Sequence, residues 1–214
     1  MTLEHQYLMQ EVDNLRIYEY LKERLRDAGF STCRIRRLPV QTVIEVVVDR
    51  PGLVIGPAGQ NIKNLTRELE EKFGLKNVRI TVLPVEVPEL DPSIMAWRIA
   101  RAIERGIHFR KVAFWALSRI LEAGALGAEI RISGKLTSER ARTETFREGY
   151  LLKSGQPRQI YLREAVYHLL LKPGVYGIKV SILPPEAKAA EYPIEPPSPQ
   201  RAEEAKSPEE QASK

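Results

Sequence analysis

The spacing of apolar positions divides the chain into two sets of helices and strands joined by a proline-rich stretch. Leu8, Val12, Leu15, Tyr18, Leu21 and Leu25 recur at steps of three and four, which predicts an amphipathic helix ending near Gly29. Cys33 to Arg37 and Val40 to Val48 read as short strands, with Leu38-Pro39 at the turn. In the second strand Ile44, Val46 and Val48 alternate with Glu45 and Asp49, while Val43 and Val47 keep the other face partly apolar. The breaker-rich PGLVIGPAGQ follows, then a helix marked by Ile62, Leu65, Leu69 and Phe73, then a strand at Val78, Ile80 and Val82.

Pro84, Pro88 and Pro92 punctuate PVEVPELDP, which reads as a linker because proline continues neither ladder nor helix. Two helices are predicted next, about Ser93–Glu104 and His108–Glu122, broken by Gly106. Ala128, Ile130 and Ile132 alternate as a strand. After a polar, basic stretch, Gly149–Lys153, Ile160–Leu171 and Val175–Leu183 read as further strands, the last two separated by the turn chemistry of Lys172-Pro173-Gly174. The expected class is α+β: a three-stranded sheet with helices over 1–85, then two helices on a mostly antiparallel four-stranded sheet over 86–184.

Residues 185–214 change character. From Pro184 onward the chain holds seven of its fifteen prolines, no apolar periodicity and a net charge of −3, which leaves +8 for the rest against +5 overall. Such a segment lacks the apolar surface to offset ordering entropy and is expected to be disordered. The basic body points to nucleic acid rather than membrane, because no segment has the length of a span. One cysteine, Cys33, forms no internal disulfide, and MTLEHQYLMQEVDN does not resemble a signal peptide. Both features point to a cytoplasmic protein.

Candidate chemistry concentrates in one loop. Gly-x-x-Gly occurs three times, at Gly56–Gly59, Gly124–Gly127 and Gly174–Gly177, and the bare pattern carries no weight. Helix capping explains the second occurrence and a strand-to-strand turn the third. The first, Gly56-Pro57-Ala58-Gly59, runs directly into an amphipathic helix opened by Gln60. Glycines let backbone approach a sugar-phosphate chain, and a helix start favours phosphate oxygens. Lys63 and Arg67, four apart on that helix, would flank a bound strand.

A second basic concentration lies farther on. Arg98, Arg101, Arg105, Arg110 and Lys111 place five cations in fourteen positions, relieved only by Glu104. Lys135, Arg140, Arg142 and Arg147 follow in the polar stretch, with Glu139, Glu144 and Glu148 interleaved. Trp97, Phe114 and Trp115 have the chemistry to stack on bases, but aromatics at helical spacing are more often core, and Trp97 is expected there. No P-loop, metal-spaced His/Cys cluster or paired carboxylates appear. His5, His108 and His168 are scattered, and His108 at a helix start reads as a cap or surface residue. Neither an enzyme nor a cofactor is expected.

VIGPAGQNIKNL, set after helix–strand–strand and before helix–strand, resembles the KH module in its bacterial-type topology. RIARAIERGIHFRKVAFWAL, GAEIRISGKLTSERARTETFREGYL and KPGVYGIKVSILPP extend the likeness over about residues 10 to 185, to the family of the third small-subunit ribosomal protein in its archaeal-type form. The resemblance implies an N-terminal KH domain and a C-terminal α/β domain on the head of the small subunit, beside the path by which messenger RNA enters. It implies small-subunit (16S-type) rRNA, messenger RNA and neighbouring small-subunit proteins as partners. By the same resemblance, Gly56 to Gln60, Lys63 and Arg67 form the RNA-binding loop. Arg98, Arg101, Arg105, Lys135, Arg140 and Arg142 would touch rRNA, and Arg110 and Lys111 would face messenger. The chain departs from the family where basic residues are frequent: Pro57 and Ala58 fill the loop, and Phe114 stands in the messenger-facing cluster. The competing readings are a free regulatory KH protein and a nuclease. The first is disfavoured because residues 93–183 contain no second VIGxxG loop, the second because no metal or acid/base pair is in view.

Overall fold

A computed structural model of the chain describes residues 3–38, 40–75 and 77–189. The first helix, α1, spans Leu3–Arg24. Only its second half meets a core: Ile17 and Leu21 are fully buried, while Leu8 and Leu15 are exposed. The apolar repeat predicted the helix but placed its buried stripe partly on the wrong residues, because the first turns of α1 extend past the sheet it packs on.

Strands β1 (Phe30–Arg37) and β2 (Thr42–Val48) pair antiparallel, and β3 (Val78–Pro84) adds parallel to β2, giving the order β1-β2-β3. Both strands of the hairpin therefore start off the predicted positions, at Phe30 rather than Cys33 and at Thr42 rather than Val40. Pro39 of the turn lies outside the described residues. Ile44, Val46 and Val48 point to the helical side and are fully buried. The parallel pairing requires a crossover, which α2 (Pro51–Ile55) and α3 (Gln60–Phe73) supply. PGLVI, a breaker-rich run in the sequence, is thus a short helix with proline in its first turn, where a missing N–H costs nothing.

The proline-rich connection is tied down rather than free. Val85 N–H donates to Val48 O at 3.1 Å. Asp91 caps the next helix, α4 (Pro92–Glu104), accepting from Ser93 N at 2.8 Å and Ile94 N at 3.4 Å. The same carboxylate accepts a hydrogen bond from the Ser31 hydroxyl on β1. After Gly106 comes α5 (Phe109–Glu122), capped by His108, whose Nδ1 accepts from Arg110 N at 3.3 Å.

The second sheet is antiparallel throughout, with order β5-β4-β7-β6. Its strands are β4 (Gly127–Gly134), β5 (Arg142–Gly149), β6 (Arg163–Leu171) and β7 (Gly174–Leu183). Helices α4 and α5 cover one face, enclosing Met95, Ile99, Leu117, Ile120, Ile130 and Ile132. Two expectations need correction here. The polar stretch after Gly134 contains β5, whereas residues 150–153, read as strand, are irregular. Ile160 belongs to a short helix, α6 (Gln156–Tyr161), and not to β6. In β5 only Glu144 and Phe146 turn toward the covered side, so the strand has too few apolar residues to declare itself.

A 3-10 turn at Pro185–Ala189 follows β7, and Ala187 is buried with Leu151 and Leu183. The folded body therefore continues past residue 184; the remainder of the expected disordered tail, 190–214, lies outside the described residues. Among the described residues no helix is long and apolar enough to cross a membrane.

Candidate nucleic-acid interface

The loop at Gly56–Gly59 is held in an unusual backbone shape. Gly56 has φ 70° and ψ −180°, Ala58 φ 51° and ψ 23°, and Gly59 φ 71° and ψ 20°. The segment closes as a 3-10 turn, with Gly59 N–H donating to Gly56 O at 3.3 Å. Gly56 is required sterically: a Cβ there would lie 2.5 Å from the Asn61 side chain. Asn61 in turn donates to Leu53 O at 3.1 Å, fastening α3 to the end of α2. Helix α3 begins with no side-chain cap and no acidic residue in its first turn. Its start is thus left open for an anion. Lys63 and Arg67 are exposed, and among the described residues neither makes an ion pair. Pro57, Ala58 and Gln60 are exposed around the turn. The loop presents backbone, with its cations one and two helical turns away.

The C-terminal cations fall into distinct environments. Arg98 is three-quarters buried and bridges Glu89 at 2.9 Å and Asp49 at 3.2 Å. Burial works against its charge, but the bonds to Glu89 and Asp49 prevail and raise its pKa above the ordinary value. This guanidinium joins α4 to the residue that follows β2 and to the linker. Arg101 pairs with Asp27 at 3.5 Å and lies 5.3 Å from the Trp97 ring, with Arg50 on the same ring at 5.2 Å. Trp97 itself is core. Arg105 is exposed, and no ion pair forms with Glu104 among the described residues. The three arginines of the predicted stripe therefore serve different ends.

Arg110 forms a two-pronged bond to Glu144 on β5, both contacts 3.0 Å, and Arg142 reaches the same carboxylate at 3.3 Å. Those bonds hold Glu144 below the usual carboxylate range and raise Arg110. Lys111, Lys135 and Arg140 are exposed. The structure thus brings Arg110 and Arg142 together on Glu144 where α5 meets β5, with Lys111 exposed next to Arg110, and places Arg98 where the two lobes join.

Comparison with known proteins bears on both lobes. The family model described as KH domain matches residues 16–90, and that described as ribosomal protein S3, C-terminal domain, matches 99–182. Small ribosomal subunit protein uS3 of Thermofilum pendens is 45% identical over 184 residues, covering 86% of this chain and 91% of that protein. The same-named proteins of Methanocaldococcus jannaschii and Methanothermobacter thermautotrophicus are 42% and 41% identical over equal spans, 88% and 71% of their lengths. The chain belongs to the uS3 family. That family is structural and non-enzymatic.

Within this uS3 fold, several surface features escaped the sequence reading. Arg34 and Arg36 of β1 and Arg79 of β3 share the face of the first sheet turned away from its helices, in register with Glu45 and Val43 of β2. Their alternation along the strands was the available signal. On the outer face of the second sheet Glu129 accepts from Lys153 at 2.5 Å and Arg131 at 3.3 Å. Nearby, Glu164 binds Lys179 at 2.8 Å and Arg158 at 3.5 Å. No sequence pattern announces these links, because Lys153 and Arg158 lie in an irregular segment and a short helix. Phe114 and Trp115 are exposed at 59% and 45%, which distinguishes them from Trp97 at 6%.

Proposed function

We propose that the chain is a structural constituent of the small ribosomal subunit that binds rRNA of the head through its KH loop and lines the path of incoming messenger with α5. The observation that carries the reading is a preformed glycine turn opening directly into an uncapped, acid-free helix start, in a chain of the uS3 family. A phosphate oxygen seated there meets backbone N–H groups and the positive end of the helix, with Lys63 and Arg67 alongside. Arg105, Lys135, Arg140 and Arg142 supply further rRNA contacts from the C-terminal lobe, and Arg110 and Lys111 face messenger. Neighbouring head proteins complete its surroundings, in the cytoplasm.

The family membership separates this role from that of a free regulatory KH protein. The test is sedimentation of the native protein in cell extract at moderate salt. Co-sedimentation with the small subunit is expected, together with loss of binding to a head rRNA fragment when the loop is altered. Protein remaining at the top of the gradient would refute the ribosomal role. Fragment binding untouched by loop substitutions would refute the role of the loop.

A further inference from the structure

Exposed aromatic side chains on a helix between cations need a physical account, because solvated rings gain nothing for the fold. Helix α5 presents Arg110, Lys111, Phe114, Trp115 and Arg119 to solvent. Phe114 is not loosely placed. Its ring meets Phe146 edge-on at 5.4 Å, and Phe146 lies 6.5 Å from the buried Phe109. The outermost ring of this series is thereby fixed by an inner, buried one, with most of its surface still open. Beside it, Glu144 clamps the Arg110 fork in place. Lys111 stands one turn before Trp115, and among the described residues neither Lys111 nor Arg119 makes an ion pair. Glu144 is thus already bound by Arg110 and Arg142, and with Glu122 counted at the far end of α5 the cations Arg110, Lys111, Arg119 and Arg142 still leave the charge around the rings positive.

We propose that Phe114 and Trp115 form a stacking platform for unpaired bases of single-stranded RNA, with Arg110 and Lys111 holding the backbone. The proposal rests on reading α5 as RNA-facing, and it adds what that helix recognises. Charge decides between RNA and an apolar protein partner: an apolar groove that covered the rings would also bury Lys111, one turn from Trp115, without counter-charge, whereas a polyphosphate strand supplies it. Adjacent helical positions are about 100° apart around the axis, so the two rings receive different bases rather than gripping one between them. Pre-fixed rings lose little side-chain entropy on binding. A duplex has no exposed base faces and gains only the charge contacts. The platform therefore favours unpaired over paired RNA, a preference that the cations alone do not provide.

The experiment uses the full chain and an oligoadenylate of about twelve nucleotides, within the span of an ordinary single-strand site. An RNA hairpin of equal phosphate number is the control. Trp115 fluorescence is obtained by subtracting the signal of Trp115→Phe, which removes the Trp97 contribution. Quenching by the single strand and not by the hairpin is expected. Phe114→Ala and Trp115→Ala should each weaken single-strand binding by at least about fivefold, with the salt slope unchanged, while Phe114→Tyr and Trp115→Phe retain affinity. Arg110→Gln and Lys111→Gln should each lower the salt slope by about one. If the charge variants lose slope but the alanine variants bind normally, the platform is overturned and the RNA-facing helix stands. If neither set changes binding, both fall. Alanine variants that bind oligoadenylate normally yet fail to enter the small subunit would assign the rings to a protein neighbour and overturn the proposal. Circular dichroism checks each variant's fold, and should an alanine variant unfold, the quenching of the native chain still decides.

Discussion

The two lobes offer RNA different materials. In the KH lobe the proposed contact is backbone: Gly56, Ala58 and Gly59 all hold positive φ, and no charged side chain stands inside the turn. In the C-terminal lobe the proposed contact is side chain: a guanidinium fork, a lysine and two open rings on α5, braced by β5. A backbone site depends on a few dihedral angles and tolerates little change at its glycines. A side-chain site distributes its binding over several groups that can be removed one at a time. The difference predicts all-or-none behaviour in the first lobe and graded behaviour in the second.

The largest effect is therefore expected at the loop, and the geometry says which glycine to change. A side chain at Gly56 collides with Asn61, so Gly56→Asp would damage the α2–α3 junction as well as any binding surface. At Gly59 the nearest atom to an added Cβ is Ile62 Cγ2 at 3.9 Å, and φ 71° with ψ 20° is a left-handed conformation that aspartate tolerates better than most residues. Gly59→Asp should leave circular dichroism intact and weaken binding to an rRNA fragment by about 30- to 100-fold, because a carboxylate then faces phosphate. Gly59→Ala, lacking the charge, should cost much less. Near-native affinity in Gly59→Asp would remove the loop from the binding surface and with it the contrast between the lobes.

The next effect concerns the joint between them. Removing Arg98 leaves Glu89 without its cation, and leaves Asp49, whose side chain is 13% exposed, with only a longer 3.8 Å contact to Arg50. Arg98→Ala should lower stability by about 1–3 kcal/mol in a denaturant titration, less than for a fully buried pair because water reaches part of the site. Proteolysis near residues 85–90 should accelerate. If stability holds and the same variant instead loses RNA affinity with a shallower salt slope, Arg98 contacts RNA as the bare sequence pattern implied.

That arginine also shows where sequence reading stops. Its place in a run of cations at steps of three and four was plain, but the carboxylates that claim it come from the residue after β2 and from the linker, one of them 49 residues away. Periodicity reports which face of a helix a residue occupies, not what another element brings to that face. For the same reason β2, α3, α4 and α5 were legible, since each carries its own apolar repeat. The strand Arg142–Gly149 was not, being an edge strand with one face in solvent. The loop was legible because glycine spacing is local. The exposure of Phe114 and Trp115 was not, because an aromatic on a helix looks the same in sequence whether or not something covers it.

A smaller effect is expected on acidification. Hydrogen bonding from Lys153 to Glu129 and from Lys179 to Glu164 holds both carboxyls below the ordinary 4.5, despite the opposing effect of burial. A depressed folded-state pKa contributes stability that is present above the unfolded value and is lost as pH falls through the folded one. The C-terminal lobe should thus keep this contribution at neutral pH and begin to lose it below about pH 4.5, by less than about 1 kcal/mol per partly exposed pair. Glu129→Gln should flatten that part of the stability–pH curve. An unchanged curve would mean that the outer-face links are incidental.

The mildest perturbation is at Cys33, and it asks whether the KH lobe is as closed as its counterpart. The thiol sits on β1 opposite Val46, and burial pushes it up to about 11 from an ordinary 9.0. At pH 8 that leaves roughly one thiolate in a thousand, about a hundredfold fewer than the ordinary value gives. A more basic thiolate is also the better nucleophile, which restores somewhat less than tenfold, so alkylation of the folded protein should run about tenfold slower than in denaturant. The rate should climb about tenfold per pH unit from 8 to 10, as the thiolate population does. A native rate equal to the denatured rate would show that the Cys33 thiol is open to water most of the time, with β1 parted from the sheet. The KH lobe would then be the looser of the two, and its loop would owe its shape to bound RNA rather than to the fold.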